Sequence, residues 1–446
     1  MGAISDVFSN IWTRTWERIL DNKGKLTATG GLLVGIILTL TFKDLYPDLE
    51  QSFRRRLGKS WSDQSYHALP GQADYVRLED HTSILTKAAV DEDDPRRTTL
   101  AVDQAIPCGI EGLIGNTPLI KLRSLSDATG CEILAKAEFL NGAGNSPKDR
   151  VALSIITHAE EEGLLVPDRG DTIYEGTVGS TGISLAAVCR ARGYKAHICM
   201  PSDAAIEKSD LLLKLGAIVE RVKPASIVDS DQFVNLARRR AEEHTVNRDL
   251  PGRGFFADQF ENTANYLAHQ NTTGPETYAQ TSGSLDVFVA GAGTGGTISG
   301  VALALKPLLP DLRIVLADPQ GSGLYNKIKN GVLFSSTETE GTRRRHQVDS
   351  IVEGIGINRL TANFSAGMHL IDDAVKVTDD QAMMMARWLV EKEGLFKMRA
   401  EGKKDARIVT ILCDSGNRHL SKFWKEAGEV GGKDVEFTLD EILAKG

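Results

Sequence analysis

Three short stretches of the 446-residue chain combine residue types that could bind anions or attack a carbonyl group. The first is AGAGTGGTISG at 290–300, where glycines follow a short apolar run and precede a helix-like run. Such turns bind phosphate, because free backbone N–H groups and the helix dipole converge on them. The spacing Gly291-x-Gly293-x-x-Gly296 also satisfies the dinucleotide fingerprint, and Asp318 lies about 20 residues further on, where a ribose-binding acid is expected.

The other two stretches are NSPKDR at 145–150 and EGTVGSTGISLA at 175–186. Lys148 precedes a helix-like run, and a lysine in low-dielectric surroundings can form a Schiff base, although most single lysines at helix starts are simply solvated. The second stretch is a small-residue turn that could bind a carboxylate or a phosphate, or only cap a helix. Its polar and small residues are Thr177, Gly179, Ser180, Thr181 and Gly182.

A reactive lysine, a small anion-binding turn and a phosphate-binding turn together favour pyridoxal phosphate acting on an amino acid. The lysine would hold the cofactor aldehyde, one turn the phosphate and the other the substrate carboxylate. A nicotinamide enzyme needs neither Lys148 nor the turn at 177–182. Its crevice also usually belongs to the first βαβ unit of the domain, whereas the turn at 290–300 comes late in the chain.

The composition is that of a globular protein large enough for two lobes, with 41% hydrophobic and 25% charged residues. A net charge of −8 argues against nucleic acid as a partner. The five cysteines form no C-x-x-C pair and no zinc spacing, so neither a disulfide framework nor a metal is indicated.

The amino-terminal region differs from the rest of the chain. After a tail at 1–25, the stretch 26–42 contains no charged residue and would form about 26 Å of helix, at the short end of what spans a bilayer. A buried helix is the alternative, but the glycines and threonines of this stretch are poor helix formers. We predict a single-pass membrane anchor at 26–42, followed by a polar linker at 43–104.

From about residue 105 short β-branched runs alternate with helix-like runs. TIYEG precedes ISLAAVCRARGYK, and DVFVAGAG precedes TISGVALALKPLL and then RIVLADP. This alternation predicts an α/β fold with parallel sheets covered by helices, in which ligands bind at the carboxyl ends of the strands.

With these motifs the chain resembles the cysteine synthase and cystathionine β-synthase family, pyridoxal-phosphate enzymes of the two-lobed fold type II, also called tryptophan-synthase-β-like. The closest subset is the fungal group with an amino-terminal anchor, associated with the mitochondrial outer membrane. The matching pieces occur in family order: IGNTPLIKL, NSPKDR, EGTVGSTGISLA, MPSDAAIEKSDLLLKLGA, DQFENTAN, TTGPE, GAGTGGTISG, EGIG and DSGNRHL.

The resemblance implies a role for each site residue. Lys148 would carry the cofactor, Gly354 and Ser180 would contact it, and the phosphate would be bound by Gly293, Thr294, Gly295, Gly296 and Thr297. The substrate carboxylate would be bound by Thr177, Gly179, Ser180, Thr181 and Gln259. Ser180 departs from the asparagine common in bacterial members, so its contact to the ring oxygen would be longer or pass through water.

The implied reaction is β-replacement, which forms cysteine from O-acetylserine, or a related activated serine, and sulfide. A cystathionine β-synthase or a serine/threonine β-eliminase is the alternative within the family. The large lobe would comprise 105–141 and 263–446, and a small mobile lobe 142–262. The resemblance further implies a homodimer and a catalytic part facing the cytosol.

One family segment is missing from the sequence. In the family, EGLF leads into a G-x-S-S-G/A turn and a helix, whose first serine contacts the pyridine nitrogen. Here KMRAEGKKDA follows Phe396 and leads directly to RIVTIL. Two interpretations remain open: a shortened splice form of a competent enzyme, or a catalytically impaired scaffold.

Overall fold

The computed structural model describes residues 107, 109–225, 229–335, 350–393, 406–416, 419, 423–430 and 437–445. The predicted tail, anchor and linker at 1–104 lie outside these residues, and so does 394–405, where the family's serine turn is missing. None of the described helices is both long and apolar enough to cross a membrane.

The described part of the chain contains two β-sheets. The six-stranded sheet has the order β1-β2-β10-β7-β8-β9. Its strands are β1 (Leu119–Lys121), β2 (Glu132–Lys136), β7 (Val287–Ala290), β8 (Arg313–Pro319), β9 (Asp373–Val377) and β10 (Arg407–Ile411). The four-stranded sheet has the order β5-β4-β3-β6. Its strands are β3 (Thr172–Gly176), β4 (Lys195–Pro201), β5 (Ile218–Val222) and β6 (Gly254–Phe256).

Strand direction confirms the predicted α/β architecture with one exception. Every pair is parallel except β1 and β2, which pair antiparallel with Leu119 opposite Lys136. In a parallel sheet all carboxyl ends lie on one edge, so the turns after β7 and β10 lie side by side in the larger sheet, while the turn after β3 lies at the corresponding edge of the smaller sheet.

Helices cover both sheets. Those that follow β1 to β6 are α1 (Arg123–Thr129), α2 (Lys148–Glu161), α3 (Ser180–Ala191), α4 (Ile206–Lys214), α5 (Phe233–Val246), α6 (Ala264–Ala268) and α7 (Gly274–Gln280). The later ones are α8 (Gly296–Leu305), α9 (Leu324–Asn330), α10 (Ala362–Gly367), α11 (Asp379–Glu393), α12 (Phe423–Ala427) and α13 (Leu439–Leu443).

Each sheet has its own apolar core. All five residues of β3 are buried, as expected of a central parallel strand, and they pack between α2, α3 and α5. In the larger sheet Phe288 and Val409 pack against α8. The four strands of the smaller sheet all fall inside 142–262, the range predicted as the small lobe.

Strand β10 occupies a central position that its place in the sequence does not suggest. It pairs with β2 on one side and with β7 on the other, although it comes after both in the chain. Residues 394–405 therefore join the end of α11 to an interior strand whose carboxyl end lies beside the turns after β3 and β7.

Candidate active site

A cavity of about 390 Å³ is lined by residues from both sheets. Its walls include all the predicted site residues except Gly179. Gly179 lies just behind the wall, where a Cβ on it would come within 2.6 Å of the Lys208 side chain. Its φ of 150° and the bond from its N–H to the Thr177 hydroxyl indicate that it shapes the turn.

Lys148 is the first residue of α2, directly after Pro147 at the helix N-cap. It lines the cavity and, within the described residues, forms no hydrogen bond or ion pair. Burial lowers the pKa of Lys148, an effect partly offset by the Cys413 thiol across the cavity. A neutral amine is therefore more available here than on an exposed lysine, and a neutral amine is what attacks a carbonyl carbon.

The loop that presents Lys148 is fixed by the buried Asp149. Its carboxylate accepts hydrogen bonds from Gly144 N at 2.7 Å, Ala143 N at 3.2 Å and Ser184 Oγ at 2.5 Å. Gly144 is required, because a Cβ there would come within 2.6 Å of both Asp149 and Ser184. The loop before Lys148 is thus held to the amino-terminal half of α3.

The turn after β3 contains the residues that were predicted to bind the substrate carboxylate. Thr177 is buried, its N–H donates to Cys199 O, and its hydroxyl accepts from Gly179 N at 3.2 Å. The hydroxyl proton of Thr177 remains available to an anion. The first N–H groups of α3, which starts at Ser180, lie at the positive end of the helix dipole.

Gln259 joins this turn to the end of β3. Thr181 Oγ1 donates to Gln259 Oε1 at 2.5 Å, and Gln259 Nε2 donates to Glu175 Oε1 at 3.1 Å. Glu175 is fully buried, and burial raises its pKa to about 8. A carboxyl group that stays protonated at neutral pH thus orients the amide of Gln259.

The turn after β7 contains the residues that were predicted to bind the cofactor phosphate. Gly295 has a φ of 84° and directly precedes α8, so its backbone N–H groups and those of the helix start face the cavity wall. A Cβ on Gly293 would come within 2.3 Å of Gly354 O, so only glycine fits there. Thr294 is held from both sides, since its carbonyl accepts from Thr361 Oγ1 at 2.7 Å and its hydroxyl from Asn265 Nδ2 at 2.9 Å.

His269 supports the last residue of this turn and was not predicted from the sequence. Its Nε2 lies 3.1 Å from Thr297 Oγ1 and its Nδ1 lies 2.9 Å from Thr273 Oγ1. Complete burial, with Lys148 and Arg150 nearby, lowers the pKa of His269 well below its ordinary value. The imidazole is neutral, so it orients the Thr297 hydroxyl without adding a charge.

At the cavity wall an ion pair joins the smaller-sheet region to the larger-sheet region. The Lys208 amine, on α4, donates to Glu353 Oε2, and Glu353 immediately precedes Gly354. His419 Nδ1 lies 3.7 Å from the same carboxylate oxygen and its Nε2 lies 3.4 Å from Asp414. The sequence offered no signal for these contacts, because the partners lie far apart along the chain.

A second polar cluster lies on the smaller sheet outside the cavity. His197, Cys199 and Glu220 place their side-chain donor atoms within 4.8 Å of one another. Arg240, however, donates to Glu220 Oε1 at 2.9 Å and to Glu220 Oε2 at 3.2 Å. The guanidinium already balances this carboxylate, so the cluster does not need a cation.

The fold and the cavity are those of an α/β enzyme in which a buried lysine and two small-residue turns at helix starts line one cavity. The family described as pyridoxal-phosphate dependent enzyme matches residues 110–414. Cysteine synthase 2 of Neurospora crassa is 57% identical over 442 residues, which cover 95% of this chain and 96% of that protein. The chain therefore belongs to the family of pyridoxal-phosphate-dependent enzymes, which confirms the predicted cofactor and the predicted family.

Two further relatives agree with this assignment. A candidate mitochondrial cysteine synthase of Saccharomyces cerevisiae is 52% identical over 350 residues, covering 75% of this chain and 88% of that protein. The crystal structure of O-ureido-L-serine synthase is 30% identical, with a TM-score of 0.59, and covers 75% of this chain and 98% of that one.

The cavity fits pyridoxal phosphate. Gly293 leaves room that a Cβ would fill, the turn at 293–297 offers N–H groups to a phosphate, and Lys148 stands on the same wall for the aldehyde. The buried hydroxyl of Ser146 beside Lys148 has no partner within the protein. These residues would hold the phosphate and the aldehyde of the cofactor within one cavity.

Proposed function

We propose that this enzyme forms L-cysteine from O-acetylserine, or a related activated serine, and sulfide. The observation that carries the proposal is the meeting of Lys148, the carboxylate turn at 177–181 and the phosphate turn at 293–297 in one cavity. The names of the Neurospora and Saccharomyces relatives support the same reaction.

The substrate carboxylate would bind at the start of α3. Its charge is matched by the helix dipole and by the hydroxyl proton of Thr177. In the structure both protons of the Gln259 amide already point at Glu175 and the Gly176 carbonyl. Gln259 would therefore contact the substrate only after a small rotation, and otherwise acts by holding Thr181.

When bound, pyridoxal phosphate supplies the electron sink that stabilises negative charge at the substrate Cα. Lys148, released by the incoming amino group, would take the Cα proton, because burial favours its neutral form. The same amine would hold that proton while the acetate leaves and the sulfide adds at Cβ, and would return it to Cα at the end. The range 142–262 would close over the substrate as a small mobile lobe.

The proposal is tested with the full chain loaded with pyridoxal phosphate. Cysteine should form from O-acetylserine and sulfide, and Lys148→Ala should abolish it. Turnover of serine with homocysteine instead would assign a cystathionine β-synthase. Release of ammonia and an oxoacid from serine or threonine alone would assign a β-eliminase.

The segment after Phe396 decides between a competent enzyme and an impaired scaffold. If this chain binds the cofactor but forms no product, inserting the family's serine turn between residues 396 and 407 should restore activity. If the insertion changes nothing, the scaffold interpretation gains support. Sequencing the transcript around Phe396 tests the splice interpretation directly.

Location and assembly are part of the proposal. The uncharged run at 26–42 supports a membrane anchor, and the name of the Saccharomyces relative supports a mitochondrial location. The choice of the outer membrane, with the catalytic part in the cytosol, follows from the resemblance alone. Deletion of 1–43 should release the protein from membranes, and protease added to intact mitochondria should remove the catalytic part. A homodimer, expected by resemblance, is tested by light scattering on the released protein.

A further inference from the structure

The buried hydroxyl of Ser146 is unexplained by the fold. Ser146 is 2% exposed and lines the cavity two residues before Lys148. Its Oγ is buried and has no hydrogen-bond partner in the part of the chain that the structure describes. A buried hydroxyl without a partner loses its bonds to water and gains nothing in return, so native proteins rarely keep one without a use.

The position of this hydroxyl is fixed by its neighbours. Ser146 O accepts from Asp149 N at 3.1 Å, while the Asp149 carboxylate holds the backbone of Ala143 and Gly144. Pro147 fixes the backbone between Ser146 and Lys148. The backbone that carries Ser146 is therefore fixed on both sides of this residue.

Four threonine hydroxyls that line the same cavity differ from the Ser146 hydroxyl in having protein partners. Thr177 accepts from Gly179 N, Thr181 donates to Gln259, Thr294 accepts from Asn265, and Thr297 contacts His269. These contacts orient groups that take part in the anion sites. Ser146, equally buried but unsatisfied, is matched to a group that comes with the ligand.

We propose that the Ser146 hydroxyl hydrogen-bonds to the pyridoxal phosphate held at Lys148, so that Ser146 is a cofactor-binding residue. Ser146 and Lys148 line the same cavity, and only Pro147 separates them in the sequence. The cofactor brings ring and phosphate oxygens that a hydroxyl can bond. The inference rests on the cofactor assignment and is independent of which amino acid and thiol react.

The experiment compares Ser146→Ala with the parent chain, with and without cofactor. In the cofactor-free protein, removal of an unsatisfied hydroxyl should leave the urea midpoint unchanged or raise it. The dissociation constant for pyridoxal phosphate, from a titration of cofactor absorbance, should rise about tenfold, the usual effect of losing one hydrogen bond. Ser146→Cys keeps the size with a weaker donor and should fall between the two.

Ser126→Ala is the matched control. Ser126 is also buried, but its hydroxyl donates to Leu122 O at 2.7 Å and accepts from Ile133 N at 3.0 Å, away from the cavity. This variant should lower the urea midpoint of the cofactor-free protein and leave the cofactor affinity unchanged. The two serines thus give opposite patterns if the proposal is right.

Two results would overturn the proposal. One is an unchanged cofactor affinity in Ser146→Ala. If only amino-acid binding weakened in that variant, the hydrogen-bond partner of the Ser146 hydroxyl would be on the substrate and not on the cofactor. The other is a urea midpoint that falls as far without cofactor as with it, which would make the role structural. Failure of the parent chain to bind pyridoxal phosphate is a different result and would count against the cofactor assignment instead.

Discussion

The two basic side chains at the start of α2 lie in opposite environments. Lys148 faces the cavity without an ion pair, and burial lowers its pKa. Arg150, two residues on and 3% exposed, donates to Glu138 and Glu276 over distances of 2.6–2.8 Å. Burial alone would lower the pKa of Arg150, but these hydrogen bonds outweigh it and raise the pKa.

Within one helical turn, Arg150 is a charged side chain that stabilises the fold, whereas Lys148 is an amine available for chemistry. Glu276 also accepts from Lys136 Nζ at 2.6 Å, so the Arg150 side is a fully bonded buried network. A buried charge is tolerated where every partner is present. A buried amine left without a partner has a lowered pKa instead, which favours the neutral state required of a nucleophile or a base.

The largest effect is expected at Lys148. Lys148→Ala should lower turnover by at least about 10³-fold, because one amine serves as both anchor and base. The visible absorbance of the lysine-bound cofactor should also disappear in this variant. The urea midpoint of the cofactor-free protein should stay unchanged or rise, since no bond is lost. A band that survives this substitution would mean that another residue carries the cofactor.

Arg150 is expected to affect stability rather than chemistry. Arg150→Met would leave the fully buried Glu138 and the half-buried Glu276 short of their counter-charge, and should lower the free energy of unfolding by about 3–5 kcal/mol. Urea unfolding of the cofactor-free protein measures this loss of stability.

Arg239→Met is the control for that loss. Arg239 pairs with Asp231 at 3.0 Å, but the two side chains are 41% and 75% exposed, and such pairs contribute less than about 1 kcal/mol. If Arg150→Met lost no more stability than Arg239→Met, the network around Arg150 would not be structural.

Much of the site could be predicted because it is local in sequence. Lys148 and the turns at 177–181 and 293–297 each lie within a single strand–turn–helix or loop–helix unit, whose residue types alone indicate an anion or a carbonyl ligand. Gly179 shows the limit of such prediction. Its position in the sequence places it in the turn. Its N–H donates to the Thr177 hydroxyl, and the residue does not line the cavity, so its role is to shape the turn.

What could not be predicted depends on contacts between distant segments. The sequence contains no sign that β10 lies between β2 and β7, because strand order depends on how separate βα units pack. His269 contacts Thr297 from 28 residues away, and Lys208 reaches Glu353 across 145 residues. Whether Ser146 has a partner is likewise a property of the packed loop.

Thr181 should show a smaller, substrate-specific effect. Thr181→Val removes the hydrogen bond to Gln259 Oε1, so the amide loses one of its fixed contacts and the carboxylate site loosens. KM for the amino-acid substrate should rise about tenfold, with KM for sulfide little changed. Thr277→Val loses a similar buried bond, to Thr273 O at 2.7 Å, in α7 and should leave both KM values alone. Equal changes in both variants would contradict a role in substrate binding.

The last effect is a change in the pH dependence of stability at Glu175. Burial raises its pKa from 4.5 to about 8, so between these values the folded chain keeps a proton that the unfolded chain has lost. This group therefore makes stability fall as pH rises through that window, by at most about 1.4 kcal/mol per pH unit, and has no further effect above it.

In the Glu175→Gln variant the side chain at position 175 cannot ionise. The free energy of unfolding of the variant minus that of the parent should therefore rise between pH 6 and pH 8 and level off near pH 9. The buried Asp318, whose pKa burial raises to about 6, acts with the same sign in both proteins and cancels in the difference. Urea unfolding at each pH measures the difference, and Glu243→Gln on the exposed face of α5 should give a flat one. If the free energy of unfolding had the same pH dependence in Glu175→Gln and in the parent, Glu175 would be ionised in the folded state. The carboxylate site would then contain a negative charge beside Gln259, and this charge would repel the substrate carboxylate.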